Sequence, residues 1–556
     1  MDLSNHDQQR LESARQTAAH TRGSGRRGTA LGLVALALLG VGLALAATRH
    51  GVGASPDSVV YIGVARNLLA GRGLTEPFGA ELDTPLTRYP PLYPALLAVG
   101  GPWGVDPLAT ARWVSALLFG ANILFVGLVL AMLLPHSRWL PVVGALLTAS
   151  ALPLLTMHSM AWSEPLFLLL SFLSLLALAA YLDQAQPAAL LLAGALGGLA
   201  VLTRYAALPF VAAGILGLLF MGPGWKRGFS RFSWQDPTKA SPPGSTHPSG
   251  PASMALFAAL TLLPTALWTV RNVAVADTAA ARTLAWHPAG KAQVWQALYT
   301  VAGWLHVPER APDWLRLGLL LAVAATATAV IFIVVRGRPE RRVASFIKLL
   351  ALWIPLYLAF LAASISLLDA STPLDDRILA PLYVAAILLA LYAVGELLQV
   401  VAHPGRWQAG LVALLLLLVG GSVIRGAGWV NDGYQQGIGF SSLAWQRSPL
   451  IQQVQSMPPE TVIYSNAPEA IYLHADRRAI PLPKPTNATT QGVNPAYSAE
   501  IERMQALLDG GAALVVYSNS LSQRTSPSEA ELSQQFALRL VTQTSDGALY
   551  GSRGAP

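Results

Sequence analysis

Asp57, Glu164, Arg204 and Arg377 stand where an apolar chain has little packing use for a charge, and they set the chemistry this sequence could carry. Asp57 follows Ser55-Pro56 at the start of a short helical segment. Glu164, in Ser163-Glu164-Pro165-Leu166-Phe167, opens an uncharged run to Leu182. Arg204, in Leu202-Thr203-Arg204-Tyr205, divides two short apolar runs, and Arg377, in Asp375-Asp376-Arg377-Ile378-Leu379-Ala380-Pro381, opens another. An arginine at mid-bilayer costs about 2.5–3.5 kcal/mol on insertion scales, so such positions need a reason. Together with Arg88 in the first loop, these acids and arginines suit a site that grips phosphate oxygens and takes a proton from a hydroxyl. The competing readings are plainer. Asp57 caps a helix in its first turn, where the dipole favours a negative charge; Ser163-Glu164-Pro165 merely starts one; Arg377 snorkels or pairs with Asp375 or Asp376. Arg204 has no local acid.

The elements that must position these groups follow from composition. Of 556 residues, 53% are hydrophobic and 12% charged, against roughly 25% charged in ordinary soluble domains. This predicts an α-helical polytopic membrane protein. The net charge is +8, but the basic residues cluster in short segments between apolar runs, which is an orientation signal and not a nucleic-acid footprint. There is no cysteine, which excludes disulfides, thiol catalysis and thiolate metal sites.

Residues 1–28 read as a polar cytoplasmic tail with Arg10, Arg15, Arg22, Arg26 and Arg27, and Thr29–Ala47 as a retained anchor rather than a cleaved signal. Further runs near 110–134, 140–156, 163–182, 188–203, 205–221, 253–273, 314–336, 346–367, 377–401 and 408–425 bring the expectation to about eleven spans. Keeping 188–221 as two spans places Lys226, Arg227, Arg231 and Lys239, and then Arg336, Arg338, Arg341 and Arg342, on the cytoplasmic side. The membrane part is then 29–428, with a first outer loop at 48–109 and a Pro-, Ser- and Gly-rich linker at 223–252. The aromatics of the 274–313 loop, Trp286, Trp295, Tyr299 and Trp304 among them, suit anchoring at headgroup level. Residues 429–556 read as a small exterior α/β domain, with strands at 461–464 and 513–517, a helix at 496–508 and a closing strand pair at 536–542 and 548–551. It holds no catalytic motif, and the acceptor-like triplet Asn487-Ala488-Thr489 is too short to weigh.

The stretch from Ser55 to Pro94 is the most structured of the outer segments. Ser55 suits an N-cap, Pro56 the first helical position and Gly71 the stop. Val60, Tyr61, Val64 and Leu68 fall on one face, which predicts a half-apolar helix lying on the membrane surface.

These segments resemble the GT-C superfamily of integral-membrane glycosyltransferases, in particular the dolichyl-phosphate-mannose-type and aminoarabinose-type enzymes. The likeness runs in order through Asp57-Ser58-Val59-Val60-Tyr61, Ala65-Arg66-Asn67-Leu68-Leu69-Ala70-Gly71-Arg72-Gly73-Leu74, Tyr89-Pro90-Pro91-Leu92-Tyr93-Pro94, Ser163-Glu164-Pro165-Leu166-Phe167, Gly198-Leu199-Ala200-Val201-Leu202-Thr203-Arg204 and Arg377-Ile378-Leu379-Ala380-Pro381-Leu382-Tyr383. It implies a sugar donor carried on a polyprenyl phosphate, used on the outer face of a plasma or inner membrane, and an essential first-loop acid, here Asp57. In several members acids of the second outer loop join it around a divalent cation (Mg or Mn). Here that set would be Asp57, Glu164 and His158, although Asp57 stands without the adjacent second acid.

The expected activity is inverting transfer of one sugar to a hydroxyl of a lipid, glycan or protein acceptor. Asp57 would take the proton, Glu164 would position the acceptor or a cation, and Arg204, Arg377 and Arg88 would hold the donor phosphate. Tyr61, Tyr89 and His158 would line the substrate cavity. The alternatives are a transporter or flippase of a lipid-linked intermediate, suggested by the broken apolar pair at 188–221, and a ligase or polymerase of whole oligosaccharides.

Overall fold

The structure, a computed structural model, describes residues 27–78, 84–222, 250–308, 310–336, 344–400, 405–487, 489–518 and 531–552, except 533, 535 and 537. The first 26 residues, the 223–249 segment with Lys226 to Lys239, and Arg338, Arg341 and Arg342 lie outside the described residues.

The chain begins with α1 (Arg27–Ala47) and continues with α2 (Pro56–Leu69), α3 (Leu92–Ala98), α4 (Pro107–Leu133), α5 (Leu140–Ser150), α6 (Leu152–His158), α7 (Glu164–Gln184), α8 (Pro187–Thr203) and α9 (Leu208–Met221). Then come α10 (Gly250–Ala276), α11 (Lys291–Trp304), α12 (Asp313–Arg336), α13 (Ala344–Leu367), α14 (Asp376–Val400) and α15 (Arg406–Gln436). Among the described residues, seven helices are long and apolar enough to cross a membrane: α1, α4, α7, α10, α13, α14 and α15. This is a multi-pass membrane protein. The expected runs fall on helix, but among the described residues seven helices, or eight spans if the bent pair at 140–158 is one, meet the length and hydropathy of a crossing, against the about eleven expected, and α12 is not among them.

Three of the expected runs differ from a straight crossing. The run at 140–156 is two helices bent by 58°. Ala151 is extended (ψ 121°), and Pro153 lacks the N–H that would continue α5, so the helix restarts with proline in its first turn. The runs at 188–203 and 205–221 are the separate helices α8 and α9, 17 and 14 residues long, shorter than the ~20 of a straight span. The chain breaks between them at Arg204, which is fully extended (φ −154°, ψ 136°). The helices share one apolar core in which Trp353 stacks on Phe210 at 4.4 Å between ring centroids.

After α15 the chain forms α16 (Pro449–Ser456), β1 (Ile463–Ser465), α17 (Pro468–Ala475), β2 (Ile480–Pro481), α18 (Tyr497–Asp509), β3 (Ala513–Tyr517), β4 (Leu538–Thr544) and β5 (Gly547–Ser552). The sheet order is β2-β1-β3-β5-β4. β2, β1 and β3 are parallel, and the β4–β5 hairpin adds antiparallel to β3.

Helix α2 is not a one-faced surface helix. Val59 packs into the apolar cluster of the sheet region with Ala467, Ala470 and Ile471, whereas Tyr61, Ile62 and Ala65 pack with Tyr93 and Leu97 of α3. It is therefore held between the membrane helices and α17. Gly63 permits this, because a Cβ there would lie 2.3 Å from the Pro77 ring and 3.2 Å from Tyr472 of α17.

Candidate active site

The backbone around Gly53 and Ala54 ties three distant parts of the chain together. Gly53 N–H donates to Ser159 O, and Ala161 N–H to Gly53 O, both at 2.8 Å. On the other side Phe440 N–H donates to Ala54 O at 2.8 Å. A Cβ on Gly53 would meet Met160 Sδ at 2.3 Å, so the close approach needs a glycine. Ser55 then caps α2 as expected, and its Oγ also accepts from Trp162 Nε1 at 2.8 Å. This places the first turn of α2 directly beside the first turn of α7.

Four charged side chains meet there. Arg377, in the first turn of α14, lies between the two carboxylates: its Nη2 donates to Asp57 Oδ2 at 2.7 Å and its Nε donates to Glu164 Oε1. Arg204 Nη1 reaches the same Glu164 Oε1 at 2.9 Å and Ser163 Oγ at 3.2 Å. Trp162 lies under Arg377, its ring centroid 4.3 Å from the guanidinium carbon. Glu164 is buried, while Asp57, Arg204 and Arg377 are partly open. Arg377 is not spent on its sequence neighbours. Asp375 instead caps α14, its Oδ1 accepting from the backbone N–H groups of Arg377 and Ile378, each at 3.1 Å.

Asp57 has a second partner, the Tyr89 hydroxyl, which donates to Oδ1 at 2.6 Å. Burial pushes the Asp57 carboxyl up, but Arg377, Tyr89 and Arg204 together outweigh it and hold the group below its ordinary value. Asp57 is therefore an ionised carboxylate at neutral pH. Tyr61 lies one turn on, its Oη 3.4 Å from Ser163 Oγ and its ring edge-on to Tyr89. Burial first, then Asp57, pushes the Tyr61 phenol up to about 12, so it stays neutral and acts by packing and hydrogen bonding. Arg88 lies further out, over the Tyr89 ring at 5.6 Å. Among the described residues it pairs with no carboxylate.

His158 is not part of this group. It is buried at the end of α6, with its Nδ1–H directed at Leu154 O (2.7 Å), its Nε2 accepting from Asn122 Nδ2 (3.2 Å), and Phe119 against its ring. Both ring nitrogens are spent inside the bundle, so His158 neither lines the cavity nor faces Asp57. His158→Ala is expected to cost about 2–4 kcal/mol of stability, seen as a lowered Tm in detergent. Activity per folded molecule should stay within a few-fold; a collapse of kcat with Tm unchanged would give His158 a role in the reaction.

Residues that carry no charge anomaly were not visible in the sequence. Trp162 and Ser163 sit in the Glu164 motif but only the fold shows them bracing Arg377 and Arg204. Glu469, at the start of α17, brings a further half-buried carboxylate toward Asp57. Burial raises its pKa, with Lys484 opposing and Asp57 adding. Its only sequence signal is Pro468-Glu469 at a helix start, which many helices share.

No protein-family model matches the chain, and no curated relative matches its sequence. Solved structures do match. ArnT from Cupriavidus metallidurans in the apo state aligns over 95% of this chain and 98% of its own, with TM-score 0.55 and 15% identity. The same protein bound to undecaprenyl phosphate aligns over 93% and 97%, with TM-score 0.52 and 15% identity. The archaeal oligosaccharyltransferase AglB from Archaeoglobus fulgidus, in complex with an inhibitory peptide and a dolichol-phosphate, aligns over 88% of this chain and 69% of its own, with TM-score 0.51 and 14% identity. At such identities the likeness is one of fold, and this multi-pass membrane chain shares the fold of the solved ArnT and AglB structures.

Proposed function

We propose that this chain transfers a sugar from a polyprenyl-phosphate donor to an acceptor hydroxyl, with inversion, at the end of the helix bundle that carries Asp57. The observation that carries this reading is the Asp57 carboxylate, held ionised by Arg377 and Tyr89 beside a second arginine, Arg204, with hydrogen-bonding capacity to spare.

Asp57 takes the proton of the acceptor hydroxyl, whose oxygen attacks the anomeric carbon. The bond from that carbon to the phosphate oxygen breaks, and the carrier leaves as a phosphate monoester with new negative charge. Arg204 spends only Nη1 on Glu164 and Ser163 among the described residues, which leaves Nε and Nη2 for phosphate oxygens. Arg377 likewise keeps Nη1. Each charge-assisted hydrogen bond contributes roughly 1.5–3 kcal/mol. Arg88, exposed above Tyr89, is placed to meet the donor as it arrives. Glu164 orients both guanidinium groups, a positioning role.

The three residues expected to hold a divalent cation do not fit one. The Arg377 guanidinium fills the space between Asp57 and Glu164 that an ion would need, and both His158 nitrogens are taken. Among the described residues no group of three His, Asp or Glu side chains is arranged around a common point. No step is therefore routed through a metal.

We place the N-terminus in the cytoplasm and the sheet region outside the cell membrane. This is supported by the arginines ahead of α1. The acceptor, whether lipid, glycan or protein, approaches from that exterior side.

The test is release of free carrier from undecaprenyl phosphate bearing one labelled sugar. A transferase releases undecaprenyl phosphate, a flippase releases none, and a polymerase requires an oligosaccharide donor. The pH profile is a second check. Tyr89 donates to the ionised form of Asp57, so Tyr89→Phe raises the Asp57 pKa and moves the acid limb of kcat/KM to higher pH. An unmoved limb would assign that limb to another group.

A further inference from the structure

Asp376 and Arg377 are chain neighbours that face different places. Arg377 reaches the carboxylates, whereas Asp376 lines a cavity of about 430 Å³ walled by α11, the starts of α12 and α14, α15, and the break before α6. Arg316 and Arg425 lie in its wall, with Tyr299, Trp304 and Tyr383.

The charges in this wall are not balanced alike. Arg316 is paired with Asp313 at 2.9 Å and covers the Tyr299 ring at 4.3 Å. Asp376 accepts from Trp304 Nε1 at 2.9 Å. Arg425 has no carboxylate at ion-pair distance among the described residues. Its Nη1 alone is used, on Gly303 O at 2.6 Å and on His306 Nδ1 at 3.3 Å. The second contact fixes the tautomer of His306. Its Nε2 faces Leu418 O at 3.0 Å, and a carbonyl only accepts, so Nε2 carries the hydrogen and Nδ1 takes the arginine's. His306 is held in the left-handed region (φ +58°), and its ring fits against α15 only because residue 421 is glycine, where a Cβ would come within 2.5 Å of it.

The surroundings are apolar and exposed. On α15, Leu417 and Ile424 are 73% and 74% exposed, and on α12 Leu321 is 61% exposed. A guanidinium that faces Asp376 across the cavity without pairing with it, at the edge of an apolar zone and walled by aromatics, is matched by a phosphate headgroup whose tail runs along the helices. We propose that this cavity is a second lipid-phosphate site, separate from the transfer centre, in which Arg425 holds the phosphate and the exposed apolar side chains of α12 and α15 take the tail. Two sources share that chemistry, a polyprenyl phosphate and a membrane phospholipid. The inference rests on the membrane reading of α12 and α15 and not on the transfer chemistry.

The full chain in detergent, titrated with undecaprenyl phosphate in one arm and phosphatidylglycerol in the other, tests it by native mass spectrometry. The wild type is expected to hold one lipid that Arg425→Gln weakens by about tenfold or more, while Arg425→Lys, keeping the charge, retains most of it. Should Arg425→Gln fail to fold, Thr300→Glu leaves Arg425 in place, brings a competing carboxylate to the same wall, and is expected to displace the same lipid. An Arg425-dependent adduct in either arm supports the site, and the arm names its source. Equal lipid binding in wild type, Arg425→Gln and Thr300→Glu overturns the proposal. Sugar transfer is judged separately, by carrier release, so either idea can fail alone.

Discussion

Asp57→Asn is expected to lower sugar transfer by about 10²–10⁴-fold, the usual contribution of a positioned general base, with the protein still folded and inserted. The argument rests on what the amide keeps and what it loses. Asparagine has nearly the shape of aspartate, and its one carbonyl oxygen still accepts from Arg377 or Tyr89, which now donate to Asp57 at 2.7 and 2.6 Å. Asp57 is also 29% exposed, so water can serve the partner left over. The lost charge cannot be replaced, because no neighbour takes over proton acceptance. Tyr89 is held neutral by burial and by Asp57 itself, and Glu164 is buried between two arginines. The measurement is free undecaprenyl phosphate released per folded molecule from the labelled donor. Wild-type turnover in Asp57→Asn would remove Asp57 from the reaction; lost turnover together with lost folding would make it a structural residue.

Much of this site was legible because a membrane chain makes charge conspicuous. Arg204 and Arg377 interrupt apolar runs, and Asp57 and Glu164 open helices next to them, so each could be singled out without knowing its partner. Which charges pair was not legible. Arg377 has two acids beside it in sequence, yet Asp375 is consumed as a helix cap and Asp376 by Trp304, and the guanidinium crosses to Asp57 and Glu164. Capping competes with ion pairing for the same oxygens, and sequence spacing does not say which prevails. His158 shows the reverse error. It lies close to Glu164 in sequence, but α6 turns its ring into the bundle, where Leu154 O and Asn122 satisfy it.

The fold divided in the same way. Hydropathy located the apolar helices, since burying apolar residues in lipid or protein needs only their number. It overcounted the crossings: 188–203, 205–221 and 314–336 are helices that are not among the seven long and apolar enough to span among the described residues. It did not foresee direction: the 58° bend at Ala151 follows from one proline, and a window average is blind to it. Near the sheet, β1, β3, α18 and the closing hairpin were visible as apolar runs or an amphipathic period, whereas α17 and the two-residue β2 were not. Yet α17 is the element that covers α2 and carries Glu469 toward Asp57, so the contribution of the C-terminal sheet region to the site emerges only in three dimensions.

Arg377→Met should be the most damaging single change, affecting stability and activity together. Arg377 is 18% exposed and separates two carboxylates, one of them, Glu164, only 5% exposed. Removing one partner of a buried pair typically costs about 3–5 kcal/mol, because the other charge is left uncompensated. Here Asp57 and Glu164 would face each other, with Arg204 and Tyr89 as the remaining donors. The loss should depend on pH in a definite direction. The folded-state pKa of Asp57 lies below its unfolded value of about 3.9. The stabilisation drawn from Arg377 is therefore complete above that value and is lost as pH falls through the folded one. Without Arg377 the opposition to burial is weaker and the Asp57 pKa rises, so the variant protonates earlier as pH falls. The Tm difference between wild type and Arg377→Met is thus expected to be largest at neutral pH and to narrow toward the carboxylate range. Arg377→Lys, which keeps a charge but cannot bridge two carboxylates with one planar fork, should fall between them. A Tm gap that stays constant from pH 7 to pH 3, or grows on acidification, would mean that the guanidinium acts through packing on Trp162 and not through the pair of carboxylates on which the proposed transfer rests.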